Sequence, residues 1–210
     1  MSESLALFPL SLVAYPGQTL NLHVFEPRYR QLINDCNEAS IHFGIPAFSE
    51  ENGMTVGTEM QLIRIDRLYP NGKMDIVSKG LRVFRLIGYD KEMEGKMYPG
   101  GKVEYIPLNM DSDILMVNKL VEQLAELFSL MNIKYNFPED IGSITSYLVA
   151  QKAGLSLDQE IELLKIPSET ERLLYLIEHL DLFLPSVRKM ESLRKKIQMN
   201  GHFRDVKGAF

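Results

Sequence analysis

Tyr15-Pro16-Gly17-Gln18-Thr19-Leu20-Asn21-Leu22-His23-Val24-Phe25-Glu26-Pro27-Arg28-Tyr29, preceded by Phe8-Pro9-Leu10, is the stretch on which the fold turns. Leu20, Leu22 and Val24 alternate with Asn21 and His23, the two-residue period of a half-buried strand. Then the period changes. Tyr29, Leu32, Ile33 and Cys36 fall at i, i+3, i+4 and i+7 behind Glu26-Pro27, and proline suits the first turn of a helix. A turn, a strand and a helix therefore follow one another directly.

Outward from this stretch the first half of the chain reads as strands. Ile41–Phe48 returns to strand, and Glu50-Glu51-Asn52-Gly53 is a polar loop. Met60–Asp66 begins a hairpin that turns at Pro70-Asn71-Gly72, where Asn-Gly can supply the positive φ values of a tight turn. The return strand runs from Lys73 to Ser78, Gly80 marks a bulge or bend, and Leu81–Tyr89 is a further strand. Lys102–Ile106 closes the series after the loop at Tyr98-Pro99-Gly100-Gly101. Short strands separated by glycine-rich turns, with one inserted helix, suggest a small barrel.

From Asp111 the spacing is helical. Ile114, Leu115, Val117, Leu120, Val121, Leu124, Leu127, Phe128 and Met131 form one wide apolar stripe. A second helix carries Ile141, Ile144, Leu148 and Val149 and ends near Gly154. Ser156 with Gln159, and Ser168 with Glu171, read as capping boxes for a short helix and a long one. Pro185 is expected to kink or interrupt the long helix, which resumes through Met190, Leu193 and Ile197. Such apolar helices need a surface to pack on, so they are expected to form one body with the strands.

At 210 residues, with 45% hydrophobic and 24% charged residues, the chain can bury a sizeable core. Its formal charge of −5 gives no electrostatic case for broad nucleic-acid binding. The charge is uneven: from Arg188 onward seven basic residues face Glu191 and Asp205, a net +5 that leaves −10 on the rest. Cations near a helix C-terminus suit its dipole, and an acidic partner surface is the other use for them. Cys36 is the sole cysteine, which excludes an intrachain disulfide. Met1-Ser2-Glu3-Ser4-Leu5 lacks the pattern of a secretory signal, and no apolar run approaches the ~18 residues of a membrane span. A reducing cytoplasm is the expected location.

Several further elements carry a resemblance. Val56-Gly57-Thr58 precedes an apolar strand, Tyr69-Pro70-Asn71-Gly72-Lys73 forms the turn, and Gly80-Leu81-Arg82-Val83 leads the next strand. Glu171-Arg172-Leu173-Leu174 opens the long helix. Their order and spacing, with the opening stretch, resemble the substrate-binding domain at the N-terminus of Lon proteases. That resemblance implies a β-barrel like those of pseudouridine synthases and archaeosine transglycosylases (PUA-like) with a helical bundle attached. It also implies a role in holding protein segments, without catalytic residues. The ATPase and peptidase that normally follow such a domain have no counterpart in these residues. One departure concerns the family's "G-L-x-R" element: here either Arg82 or Arg85 could take the arginine's part.

No residue pattern supports catalysis or a cofactor. Gly95–Val103 fails as a phosphate loop, because Gly101 stands where lysine is needed and Val103 where a hydroxyl is needed. His23, His42, His179 and His202 lack zinc-protease spacing, and Asp111-Ser112-Asp113 reads as a helix cap rather than a calcium loop. Cys36 sits on an apolar helix face with no histidine motif beside it. The three Tyr-Pro turns differ in interest. Aromatic rings bracing prolines is one reading; the other is an exposed surface in which Tyr15, Tyr69 and Tyr98 join Met54 and Met97 to hold peptide loosely.

The expectation is an α+β chain with a PUA-like barrel over residues 1–108, a helical part over 109–201 packed on it, and a loose tail over 202–210. Its expected role is non-enzymatic binding of unfolded or partner polypeptide, with no metal, no cofactor and no membrane partner. RNA binding, a small-molecule site or an unrecognised hydrolase are the alternatives. Self-association through the final helix is compatible with each.

Overall fold

A computed structural model describes residues 2–202, with side chains described to residue 197. The expected tail thus lies outside the described residues from 203 on, and residue 202 ends a helix.

Six strands form one sheet: β1 (Glu3–Leu7), β2 (Thr19–Val24), β3 (Phe43–Pro46), β4 (Val56–Leu68), β5 (Met74–Asp90) and β6 (Gly100–Tyr105). Their order is β2-β5-β4-β3-β1-β6, and β5 also pairs with β6. The ladders therefore return on themselves through β1, β3, β4, β5 and β6, with β2 outside that circuit. All pairings between these strands are antiparallel except β1 with β3. β5 makes the closure, because its first half pairs with β2 and its last half with β6. The sequence reading had two strands here; they are one strand of 17 residues running through Gly80. The register shift on β4 between Thr58 and Met60 faces Gly80–Val83, so the irregularity expected at Gly80 is there. β1 was not anticipated, although Leu5-Ala6-Leu7-Phe8 is a buried apolar run.

At the hairpin tip only Gly72 has positive φ; Asn71 does not. The Gly72 N–H donates to the Tyr69 carbonyl at 2.8 Å. Pro70 fixes the φ of the first central position, which selects an ordinary turn closed by a left-handed glycine rather than a mirror-image Asn-Gly turn. α1 (Pro27–Ala39) begins at Pro27 and buries Tyr29, Leu32, Ile33 and Cys36, the stripe read from the sequence.

The second half holds α2 (Ile114–Leu130), α3 (Ser146–Val149), α4 (Leu157–Lys165) and α5 (Glu169–His202). Asp113 caps α2 through Leu115 N–H at 2.8 Å, and Ser156 with Gln159 forms the expected capping box of α4. The expected second helix is broken into a 3-10 turn at Ile141–Ser143, α3, and a 3-10 turn at Ala150–Lys152. Glu169 is the physical reason. Its carboxylate, 1% exposed, turns inward and accepts from Ser146 N–H at 2.6 Å and Ser146 Oγ at 2.8 Å. That backbone N–H is therefore not available to a helix passing through from Ile141. Arg172, 0% exposed, completes the network by donating to Glu169 at 2.7 Å and to the Ile166 carbonyl at 2.8 Å. Its guanidinium also lies over the Tyr147 ring at 4.3 Å. A buried charge pair of this kind persists because each member is hydrogen-bonded.

α5 passes through Pro185 without interruption. Leu184 and Val187 on either side are buried, and Arg188 is tied to Glu126 of α2, so packing holds the helix across the missing N–H. The largest apolar cluster joins both halves, since Val13, Tyr15, Val56 and Val83 pack with Leu120, Leu163, Leu176 and Leu180.

Candidate functional site

α1 and the β4–β5 hairpin border a groove of about 500 Å³. Pro27, Arg30, Gln31, Asn34 and Asp35 line it from α1; Leu68, Gly72 and Met74 line it from the hairpin, and Met97 from the loop before β6. Its walls are pinned by α1. Arg30 donates to the Asn71 carbonyl at 2.7 Å, and Gln31 accepts from the Met97 N–H at 2.8 Å. Asp35 accepts from Lys96 Nζ and from Tyr98 Oη, each at 2.7 Å. The bond from Lys96 holds the Asp35 carboxyl below its ordinary value, against the opposing effect of burial, with Tyr98 assisting. Burial, and then Asp35, push the Tyr98 phenol upward, so it stays a donor.

Apolar atoms reach water here. Leu68 is 67% exposed and Met97 50% exposed. Beyond Met60, β4 has no partner on its β3 side among the described residues, because the β3 ladder ends at Phe43↔Met60. The groove meets this strand at Leu68, its last residue, and an unpaired strand edge is a template for main-chain hydrogen bonds.

The five residues read from the sequence as a peptide surface are not brought together. Met97 is in the groove. Tyr98 lies beneath it, 2% exposed, and its ring belongs to the core under α1. Tyr15 is 0% exposed and stacks on Tyr147 at 5.2 Å across the seam between the two halves. The reading of Tyr15 and Tyr98 as exposed is therefore corrected. Each is a large ring beside a turn proline, and an adjoining core claimed both. Tyr69 is half-buried, donating to Asp75 at 2.7 Å, with His23 bonded to the same carboxylate at 2.6 Å. Met54 is half-buried on the β3–β4 loop, which is tied to α4 through Asn52 and Asp158 at 2.9 Å. Leu68, Arg30 and Gln31 were missed. A hydrophobe at the very end of a hairpin strand, with no core left for it, was the available signal.

Arg82 and Arg85 differ in their surroundings. Arg82 grips the buried Glu59 at 2.6 and 3.1 Å and lies over the Tyr105 ring at 3.6 Å. Burial alone would raise the Glu59 carboxyl, but bonds from Arg82 and His42 bring it below its ordinary value. Arg85 is exposed. Cys36 is buried, and burial pushes its thiol up to about 12, which removes nucleophilic character. Among the described residues no group of three His, Cys, Asp or Glu side chains is placed to hold a metal ion. Nor is any described helix long and apolar enough to cross a membrane.

Residues 4–181 match the family model of the ATP-dependent protease La (LON) substrate-binding domain. The chain belongs to that family. The Lon N-terminal domain protein from Xanthomonas campestris is similar in structure, at 24% identity and a TM-score of 0.64, over 84% of this chain and 98% of that one. The N-terminal domain of the Mycobacterium avium complex Lon protease is similar at 16% identity and a TM-score of 0.61, over 85% of this chain and 98% of that one. At these identities the likeness is one of fold. The Lon substrate-binding domain family is one of substrate recognition, and its Lon members are associated with proteolysis.

Proposed function

We propose that this chain captures extended polypeptide segments in the groove between α1 and the β4–β5 hairpin, without catalysing any change in them. The closed circuit of strands is read as a small PUA-like barrel over residues 1–108, with the helical part over 109–201 as its buttress. The observation that carries the proposal is the pairing of exposed Leu68 and Met97 with the unpaired outer edge of β4. An extended segment could bond to that edge while its alternate side chains enter the groove, which is how strands are added to a sheet. Family membership supports the same reading, since recognition of substrate polypeptide is the role the family's name describes. The proposal places the protein in a reducing cytoplasm, where Cys36 remains a thiol.

The test uses the intact chain and a fluorescently labelled protein kept unfolded by capping its cysteines. Replacing Leu68 and Met97 by Ser removes apolar burial worth about 1.5–3 kcal/mol per large side chain, so affinity should fall at least about tenfold. The thermal midpoint should barely move, because both side chains are exposed. Undiminished capture by the double variant would exclude the groove. Tyr15→Ser and Tyr98→Ser are unsuitable for this purpose, since they would test the core.

A further inference from the structure

A second cavity, of about 250 Å³, lies where β4 begins, β6 ends and α4 closes over them; Thr55, Val56, Arg85, Leu86, Ile106 and Lys165 line it. Val56 is buried and Leu86 and Ile106 are half-buried, so part of the lining is apolar. Two cations from different elements share it, Arg85 from β5 and Lys165 from the end of α4. Their situations differ. Lys165 Nζ donates to Glu162 at 2.6 Å and to Asn52 at 2.9 Å, so its charge is already matched. Arg85 has no carboxylate within ion-pairing distance among the described residues, in contrast to Arg82, which holds Glu59 at 2.6 Å. Glu104 is its cross-strand neighbour in the ladder, yet the two form no ion pair.

An unmatched guanidinium beside an apolar lining is a combination with a definite complement. The planar fork suits a carboxylate, which it binds through two parallel N–H bonds. The volume is below the ~300–1,000 Å³ typical of drug-sized ligands and cofactors. A residue whose carboxylate and apolar side chain leave the same Cα satisfies both parts, and in a polypeptide that residue is the C-terminal one. An internal Asp or Glu offers the charge without the apolar group.

We infer that this cavity receives the C-terminal carboxylate of a polypeptide ending in an apolar residue: Arg85 binds the carboxylate, and Val56, Leu86 and Ile106 pack against the last side chain. The inference rests on the polypeptide-capture reading but uses a different surface from the α1–hairpin groove. It gives the chain a means of reading an end as well as a segment.

The experiment compares two labelled hexapeptides ending in Leu, one with a free carboxylate and one amidated, against the intact wild-type chain and Arg85→Gln. Loss of a charge-assisted pair should weaken the amide about tenfold or more relative to the free acid. R85Q should bind the two alike, with an unshifted thermal midpoint because Arg85 is exposed. Equal binding of the two peptides by wild type, binding of neither, or a preference retained by R85Q overturns the inference. Capture of the unfolded reporter, measured alongside, separates the two readings: a reporter lost on Leu68 and Met97 substitution upholds the groove whatever the hexapeptides do.

Discussion

Gly80 lies under the segment that opens the molecule. A Cβ placed there would come within 2.2 Å of the Tyr15 carbonyl oxygen and 3.3 Å of Pro16 Cα. The contact is a ladder in miniature: Gly17 N–H donates to the Gly80 carbonyl, and Gly80 N–H to the Gln18 carbonyl, each at 2.9 Å. Two motifs that the sequence shows sixty-odd residues apart are thus two sides of one backbone crossing. Because the obstructing atom is backbone, it cannot swing aside as a side chain would. Gly80→Ala should destabilise the fold by about 3 kcal/mol, at the upper end of overpacking; a urea midpoint within error of wild type would refute this. Sequence alone showed that glycine was special here but gave no hint of what crossed it. Tyr15 teaches the converse. Its type and its turn suit an exposed surface equally well, and only Tyr147, more than a hundred residues later, makes it core.

Elements with strong periodicity or caps were legible: α1, α2 and α4 follow their apolar spacing and their N-terminal signals. Elements decided by a distant partner were not. The Ile141–Val149 stripe has helical spacing, yet Glu169 takes the Ser146 N–H and divides it. Pro185 has a local tendency to stop a helix, yet α5 continues because α2 packs along it. α5 also carries a titratable lock on the turn before α4. His179 is half-buried, with Nε2 at 3.1 Å from the Ala153 carbonyl and Nδ1 at 3.4 Å from Gln159 Nε2. The neutral ring fits both bonds when Nε2 carries the proton and Nδ1 accepts. Burial holds the imidazole below its ordinary value of 6.5, against the raising effect of the Ala153 carbonyl. The unfolded chain therefore binds this proton at a higher pH than the folded one does. It follows that stability from this group is present above 6.5 and is lost as the pH falls below it. His179→Gln should flatten that part of the profile. Urea midpoints for both proteins at about pH 7.5 and about pH 5.5 give the measurement, and equal losses in the two would count against the lock.

At the scale of the molecule, the two halves share their largest apolar cluster, with Tyr15 and Val83 from the first half among the leucines of the second. Ser49 Oγ donates to Asp158 at 2.5 Å, and Gln151 Nε2 to the Val13 carbonyl at 3.3 Å, so polar bonds bind the loops at the seam as well. The need of the helices for a packing surface was legible in their apolar stripes. The groove was not, because Leu68, Met97 and Arg30 meet only after helix, hairpin and loop have been folded together. Unfolding is expected to be a single cooperative transition. The chain has no tryptophan, so tyrosine fluorescence, which includes the Tyr15–Tyr147 stack, can be compared with helical circular dichroism. Coincident urea curves are the expected result, and separated midpoints would show that the halves melt independently.

The closure of the sheet also sets an order in time. β1 has two neighbours: β3, through Ala6↔Phe43 and Leu7↔Gly44, and β6, through Glu3↔Val103 to Ala6↔Gly100. On a ribosome β1, made before the other five strands of this sheet, can find only the shorter of these ladders until the chain has grown to Val103. Through that interval Glu3–Leu5 have no strand partner, the β4–β5 hairpin can already form, and the circuit stays open. The earliest strand of this sheet is thus among the last of the six to be fully paired.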